Sequence, residues 1–391
     1  MNKLSSRLFV LLACLASLTT VAMAETEPPF KVLAREAYLL DLSTDTVLYA
    51  KNADERMPPA SMSKLMTVFM VFEALANGEL AISDTFDVSE KAWRMQGSKM
   101  FVGLNEKITI SDLLRGVIVQ SGNDACVVLA EGLAGSEEFF AELMTDKAQA
   151  IGLTGSTFAN ATGWPHENQM MTAHDLAELA RQIIEQYPEQ YGLFSEESFT
   201  YGTSLDGKPI TQPNRNPVLG NIEGADGLKT GHTEAAGYGL TASAIRDGRR
   251  LVLVLNGLES KRQRAISSER FLQWGFRNFD TYNVIKAGTT IAEAPVWLGE
   301  TAKVPLIIAE DLTLTLTRRD RRKMTATINY VSPIPAGIVK GTPIARLVLD
   351  APDSGKRTIP LLAGIDIEKV GPFGKISSAI EFLLLGKSGS E

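Results

Sequence analysis

Cysteine is nearly absent from this chain, with two residues, Cys14 and Cys126, in 391. Histidine is almost as scarce, at three. A disulfide framework is therefore excluded, and His166 and His174 lack the neighbouring Cys or Asp spacing of a metal site, so neither a metal nor another cofactor is expected. Positive charge is in deficit too. The 39 Lys and Arg against 46 Asp and Glu give a net charge of −7, which argues against nucleic acid as a partner. No apolar run of about 18 residues or more follows the N-terminal leader, which excludes an ordinary transmembrane helix there.

What is present begins with that leader. Lys3 and Arg7 precede an apolar run from Leu8 to Leu15, and Ala22-Met23-Ala24 ends it before Glu25, so residues 1–24 read as a secretory signal peptide. Leu11-Leu12-Ala13-Cys14 offers a lipoprotein-type site, but small and apolar residues continue past it to the better one. Cleavage after Ala24 leaves Cys126 as the lone cysteine and 37 basic against 46 acidic residues, a net charge of −9.

The mature part, 45% hydrophobic and 22% charged over the whole chain, is long enough for two or three domains. Tyr38-Leu39-Leu40 and Val47-Leu48-Tyr49 read as a hairpin. From Ser61 to Ala76 apolar residues surround the whole helical circumference, so this helix belongs in a domain centre, stopped by Asn77-Gly78. Further helices fit Ile110 to Ile118, Asn123 to Leu133, Glu137 to Ile151 and, after Thr172-x-x-Asp175, Thr172 to Ile184. Strands return at Tyr238 to Ile245 and Leu251 to Leu255 around Asp247-Gly248, a tight-turn pair, and a helix from Ser267 to Phe279 closes the unit. Strands at both ends with helices between predict an α+β fold, an antiparallel sheet packed with helices, over residues 25–287. Residues 288–370, with period-two runs at Leu312 to Thr317 and Met324 to Val331, read as a small all-β domain. Arg318 to Lys323 between those runs reads as a solvated hairpin tip, with anionic lipid as its alternative contact. Residues 371–391 hold an amphipathic segment, Phe373 to Leu385, that fits either a helix packed on its domain or an anchor on the membrane surface.

The chemistry concentrates in three short strings. Ser61-Met62-Ser63-Lys64 places a hydroxyl and an amine on one helical face, so a neutral Lys64 can take the Ser61 proton during attack on a carbonyl. Burial and a second cation, for which Lys229 is placed, would both favour the neutral amine. A capped helix with an exposed lysine gives the same spacing by accident. Ser121-Gly122-Asn123 before a helix adds a hydroxyl that relays a proton and an amide that holds a substrate backbone. Lys229-Thr230-Gly231 adds a cation, a hydroxyl and a close backbone approach. The three strings in this order form the set found in penicillin-binding proteins and β-lactamases, in the variant with Gly122 at the middle position.

On these strings, and on Asp226 to Thr233, Trp274-Gly275-Phe276-Arg277 and Pro295 to Gly299, the sequence resembles the D-alanyl-D-alanine carboxypeptidases, the membrane-anchored low-molecular-mass penicillin-binding proteins. The likeness spans the mature chain. It implies a transpeptidase-type fold, and a peptidoglycan stem pentapeptide ending in D-Ala-D-Ala as substrate. Ser61 is then the nucleophile of an acyl-enzyme, Lys64 its base, and Ser121 the donor to the leaving amine. Asn123 holds the substrate and Lys229 supplies positive potential. It implies an oxyanion hole at the N–H groups of Ser61 and His232, a substrate carboxylate at Thr230, Thr233 and Arg264, close approach at Gly231, and an additional cleft role for Arg215. It also implies penicillins as covalent inhibitors, and a peripheral place on the periplasmic side of the inner membrane. No Glu-x-x-Leu-Asn follows Asn123, so penicillin release is expected to be slow, unlike in a class A β-lactamase. The same catalytic strings would also serve an endopeptidase of cross-links, and the β-rich part alone would serve a non-catalytic wall-binding scaffold. Cys126, one turn past Asn123, reads as a buried small residue close enough to the cleft to test with thiol reagents.

Overall fold

The computed structural model describes residues 30–204 and 206–371. The leader and the Phe373 to Leu385 segment lie outside them. Among the described residues no helix is long and apolar enough to cross a membrane.

A five-stranded antiparallel sheet forms the frame, in the spatial order Thr46–Lys51, Glu36–Asp41, Arg249–Leu258, Gly237–Arg246, Ala225–Thr233. The unit's first strand, Glu36–Asp41, thus pairs with its last, Arg249–Leu258, and the sheet is antiparallel as expected. Asp247 and Gly248 turn between two long strands, both at positive φ (49° and 78°), the conformation that favours Asp-Gly there. The strand Ala225–Thr233 at the sheet's end has no counterpart in the sequence reading, because Gly227 and Gly231 dilute its pattern.

The helix Lys64–Ala76 runs through the core, with Leu65, Met66, Val68, Phe69, Val71 and Phe72 all essentially inaccessible. The helices Ile110–Ile118, Asn123–Ala134, Glu137–Ala150 and Ala173–Gln186 pack around it. Burying side chains of this size stabilises the fold by roughly 1.5–3 kcal/mol each. The last helix of the unit runs Lys261–Asn278, six residues longer at its start than predicted, because Ser260 caps it by accepting from Gln263 N–H at 3.1 Å.

The rest is all β, with its own apolar core. A six-stranded sheet contains Thr325–Asn329, Pro343–Ala351, Gly355–Ala363, Lys303–Ile307, Thr290–Trp297 and Ile334–Pro335, and Phe279–Ile285 pairs with Leu312–Thr317. Phe279–Ile285 thus joins the β part, although the sequence reading changes domain only at Gly288. Arg318–Lys323 is a short helix rather than a hairpin tip. Thr317 accepts from Asp320 N–H, and the buried Asp320 carboxylate accepts from Asp353 N–H and Ser354 Oγ. The neighbouring strands pair elsewhere, so no hairpin connects them.

Candidate active site

Ser61 sits in the 3₁₀ turn Ala60–Ser63 that leads into the buried helix, with Lys64 the first α-helical residue. Lys64 is wholly buried. Its Nζ lies 3.0 Å from Ser61 Oγ and 2.8 Å from Asn123 Oδ1, and it also donates to the Thr162 carbonyl. An ammonium has three N–H donors, so this ring of acceptors is complete. Burial, reinforced by the Arg215 cation, brings Lys64 down to about 8.

Asn123 is the first residue of its helix, and its Nδ2 donates to the Gln96 carbonyl at 2.7 Å, which points Oδ1 at Lys64. Two residues earlier Ser121 stands at φ +60°, a left-handed backbone in a non-glycine residue and a conformation that clusters at functional sites. Its hydroxyl receives a hydrogen bond from Lys229 Nζ at 2.9 Å. Lys229 reaches across from the sheet-end strand and is almost inaccessible. Burial first, then the Lys64 and Arg215 cations, hold it well below the ordinary lysine range. Arg215 thus bears on both amines, a part the sequence reading assigns to Lys229.

The same strand brings the remaining residues. Thr230 is buried, Gly231 packs so closely that a Cβ there would lie 2.8 Å from the Pro59 carbonyl oxygen, and His232 is exposed with its ring 3.9 Å from that of Tyr238. The Thr233 hydroxyl accepts from Ala236 N–H at 3.1 Å. Arg264, on the helix Lys261–Asn278, is buried behind this strand, with Nη1 3.3 Å from Gly239 O and Nη2 3.4 Å from Arg215 O. Burial brings it down to about 10 and leaves its Nε without a partner. Arg215 lies exposed at the lip and donates to Ser98 Oγ. Among the described residues, none of Lys64, Lys229, Arg215 and Arg264 has a carboxylate within ion-pair distance. A cleft with this much unbalanced positive charge suits an anionic ligand.

Three supports escape the sequence reading. Asp124, fully buried, accepts from the N–H groups of Met100, Phe101 and Val102 and so fixes the loop beside Asn123. Asp226 anchors the start of the sheet-end strand through Arg250 at 2.7 Å and the Tyr191 hydroxyl at 2.8 Å. Asn160 Oδ1 gathers the N–H groups of Thr162, Gly163 and Trp164, shaping the loop that offers the Thr162 carbonyl to Lys64. Gly163 in that loop, at φ +79°, faces the Ala60 carbonyl so closely that a Cβ would lie 2.0 Å from its oxygen. Asp226 lies inside a string quoted above and Asp124 directly follows one, whereas Asn160 belongs to no motif spacing. Cys126 is fully buried and its thiol is pushed up to about 12 by burial, which disfavours the thiolate that a thiol reagent would need.

Residues 21–259 match the family described as D-alanyl-D-alanine carboxypeptidase, and residues 279–369 that described as penicillin-binding protein 5, C-terminal domain. The chain is 35% identical over 366 residues to D-alanyl-D-alanine carboxypeptidase DacC of Escherichia coli strain K12, covering 92% of this chain and 90% of that protein. The crystal structure of penicillin binding protein 5 from Haemophilus influenzae is 35% identical, with a TM-score of 0.75 over 88% of this chain and 99% of the other. Penicillin-binding protein D2 from Listeria monocytogenes in its ampicillin-bound form is 30% identical, with a TM-score of 0.57 over 64% of this chain and 100% of that one.

Proposed function

The chain belongs to the D-alanyl-D-alanine carboxypeptidase family, and from that premise we propose that Ser61 is the nucleophile that removes the terminal D-alanine of a peptidoglycan stem pentapeptide. The observation that carries this is the set of partners around Lys64. Of its three, the Asn123 amide oxygen and the Thr162 carbonyl can only accept, while the Ser61 hydroxyl can also donate. A neutral amine keeps two N–H groups for the two acceptors, and its lone pair is then left for the Ser61 proton. Lys64 is therefore oriented as a base by hydrogen bonds that do not change during the step.

Ser61 Oγ attacks the penultimate D-alanine carbonyl carbon as its proton moves to Lys64 Nζ. The backbone N–H groups of Ser61 and His232 receive the developing oxyanion. Collapse breaks the C–N bond. The leaving amine takes a proton through Ser121, whose hydroxyl is held by Lys229, and free D-alanine departs. Water then attacks the ester, and its proton returns by the same amine to restore Ser61. Thr230 and Arg264 meet the terminal carboxylate, with Arg215 adding potential at the lip and Asn123 Nδ2 facing the substrate backbone. Penicillin acylates the same Ser61 and leaves slowly, since no Glu-x-x-Leu-Asn string follows Asn123 to supply a deacylating carboxylate.

Residues 25–278 act as the catalytic part and the β part from Phe279 as a spacer from the membrane, where residues 371–391 attach the exported protein at the periplasmic face after removal of residues 1–24. Mass spectrometry of the mature protein with diacyl-D-alanyl-D-alanine and, separately, with penicillin tests the central claim. The expected result is D-alanine release and acylation of Ser61, both abolished in Ser61→Ala. D-Alanine release that survives in Ser61→Ala overturns it.

A further inference from the structure

The most concentrated positive charge lies outside the cleft. Arg318–Lys323 puts five cations into one short helix, in a protein whose net charge is −7. The one acid among them is no partner to them: Asp320 is buried, its carboxylate is turned inward onto Asp353 N–H and Ser354 Oγ, and among the described residues no ion pair joins it to any of the five. Arg318 and Arg319 reach carboxylates only at 3.8 Å (Asp280) and 3.6 Å (Asp353), with side chains 86% and 60% exposed. Arg321 lies over the Tyr282 ring, 4.2 Å from its centroid. Arg322 and Lys323 are exposed, and among the described residues no carboxylate is at ion-pair distance from either. Residues three and four apart on a helix are neighbours, so Arg318 with Arg321 and Arg322, and Arg319 with Arg322 and Lys323, set like charges side by side. Such pairs weaken a helix, and this one is held by the Thr317 cap and by Asp320 instead. A cluster that costs the fold in this way suits an anionic partner.

Its place in the fold says which anion. The helix follows Thr317, which pairs with Phe279 at the end of the helix Lys261–Asn278. From there back to Arg264 in the cleft is roughly 21 Å of helix at about 1.5 Å per residue. In the other direction the helix sits against the Asp353-Ser354 turn, whereas the described chain ends at the opposite end of the sheet, where Lys369 bridges to Gly299. Between the two lie Gly355 to Leu362 and then, from its partner Ile307, the strand back to Lys303, together roughly 35 Å. With residues 371–391 as the attachment, a lipid surface at that end is several screening lengths away, since such attraction decays over about 8 Å at physiological salt. The wall polymer is within reach. The peptide in the cleft ends in a carboxylate, and a polymer of such peptides carries carboxylates at repeated positions.

We propose that Arg318–Lys323 is a second contact for peptidoglycan, which takes carboxylates of stem peptides other than the one being cut and so keeps the polymer beside Ser61 between turnovers. The proposal rests on the reading of the wall as substrate and adds a further surface for it. A soluble peptide of three residues spans about 11 Å at most, so it cannot touch the cleft and this helix together, whereas the polymer can.

The test sets Arg318→Gln, Arg319→Gln, Arg322→Gln and Lys323→Gln combined against the charge-keeping Arg318→Lys, Arg319→Lys and Arg322→Lys combined, with Arg321 left on Tyr282. In a Ser61→Ala background, which removes turnover, the mature protein should pellet with purified insoluble peptidoglycan. The glutamine variant should bind at least about tenfold more weakly and the lysine variant within about threefold of the parent. Parental binding should fall away between about 0.05 and about 0.5 M salt, and on walls whose carboxylates have been converted to amides. With Ser61 intact, the glutamine variant should lose D-alanine release from the polymer by a similar factor, and keep kcat/KM on diacyl-D-alanyl-D-alanine within about twofold of wild type. A glutamine variant that pellets like its parent, or that loses the soluble peptide as strongly as the polymer, overturns the proposal, as does one whose binding falls on anionic lipid vesicles instead of walls. Pelleting does not need the nucleophile, so failure of the Ser61 assignment shows separately, as wild-type protein that releases no D-alanine from either substrate.

Discussion

In the cleft, Lys64, Lys229 and Arg264 are buried with no carboxylate at ion-pair distance, while at the junction between the catalytic sheet and the β part Asp41 is buried with every need met. Asp41 accepts from Arg249 Nε at 2.6 Å, Thr315 Oγ1 at 3.0 Å and Ser43 N–H at 3.0 Å. Arg249 in turn donates to the carbonyls of Phe279 and Gly275. A compensated charge holds two parts of the chain together. An uncompensated one costs stability, and what it returns is reactivity: a lysine near 8 where an ordinary one titrates above 10.

The sharpest way to break this contrast is to remove a charge from each side. Lys64→Met should lower the rate of Ser61 acylation by at least about 10⁴-fold, in line with loss of a nucleophile's base. Its thermal midpoint should hold or rise, because a buried unpaired cation is replaced by an apolar chain of similar length. A large fall in midpoint would show that Lys64 is structural. Asp41→Ala should do the reverse, costing about 3–5 kcal/mol in denaturant unfolding by stranding Arg249, while acylation by penicillin at low temperature stays within a few-fold of wild type.

A smaller effect comes from pH. Neutral Lys64 is the base, so acylation should rise about tenfold per pH unit up to about 8 and level off above. Stability carries the matching sign. The folded state binds fewer protons than the unfolded chain between about 8 and the ordinary lysine value, so the Lys64 contribution makes the protein more stable as pH rises through that window. Lys64→Met should lose that dependence, and an unchanged profile in the variant would assign it to another group.

The two regions also differ in how far they can be read without coordinates. Ser61 and Lys64, three apart across the 3₁₀ turn that enters the buried helix, and Asp247-Gly248, two residues that tolerate positive φ, are local, and both pairs meet as their spacing predicts. The all-round apolar run before Ala76 likewise predicts a central helix, because only a helix buried on every side can hold it. What is not legible depends on partners distant in sequence. The sheet-end strand carries too little apolar alternation to announce itself, and takes its place by pairing with Gly237–Arg246. Phe279 reads as the end of the helix before it and the residues up to Ile285 carry no strand pattern of their own, yet Leu312–Thr317 pairs with Phe279–Ile285 as a strand. Asn160 reads as an ordinary loop residue, since its value lies in three N–H groups that only the folded loop turns toward it. Arg318–Lys323 does carry a local signal: Thr317 three residues before Asp320 is the same capping pair as Thr172 and Asp175.

Among the described residues the strand that carries Lys229 has one free edge. Such an edge is where a second chain, misfolded or merely crowded, would add itself and seed aggregation. Here Gly227 and Gly231, which add no side chain for a neighbouring strand to pack on, make that edge a poor template for a strand of another molecule. The glycines that let a neighbouring group approach this strand closely thus also weaken it as a template for self-association.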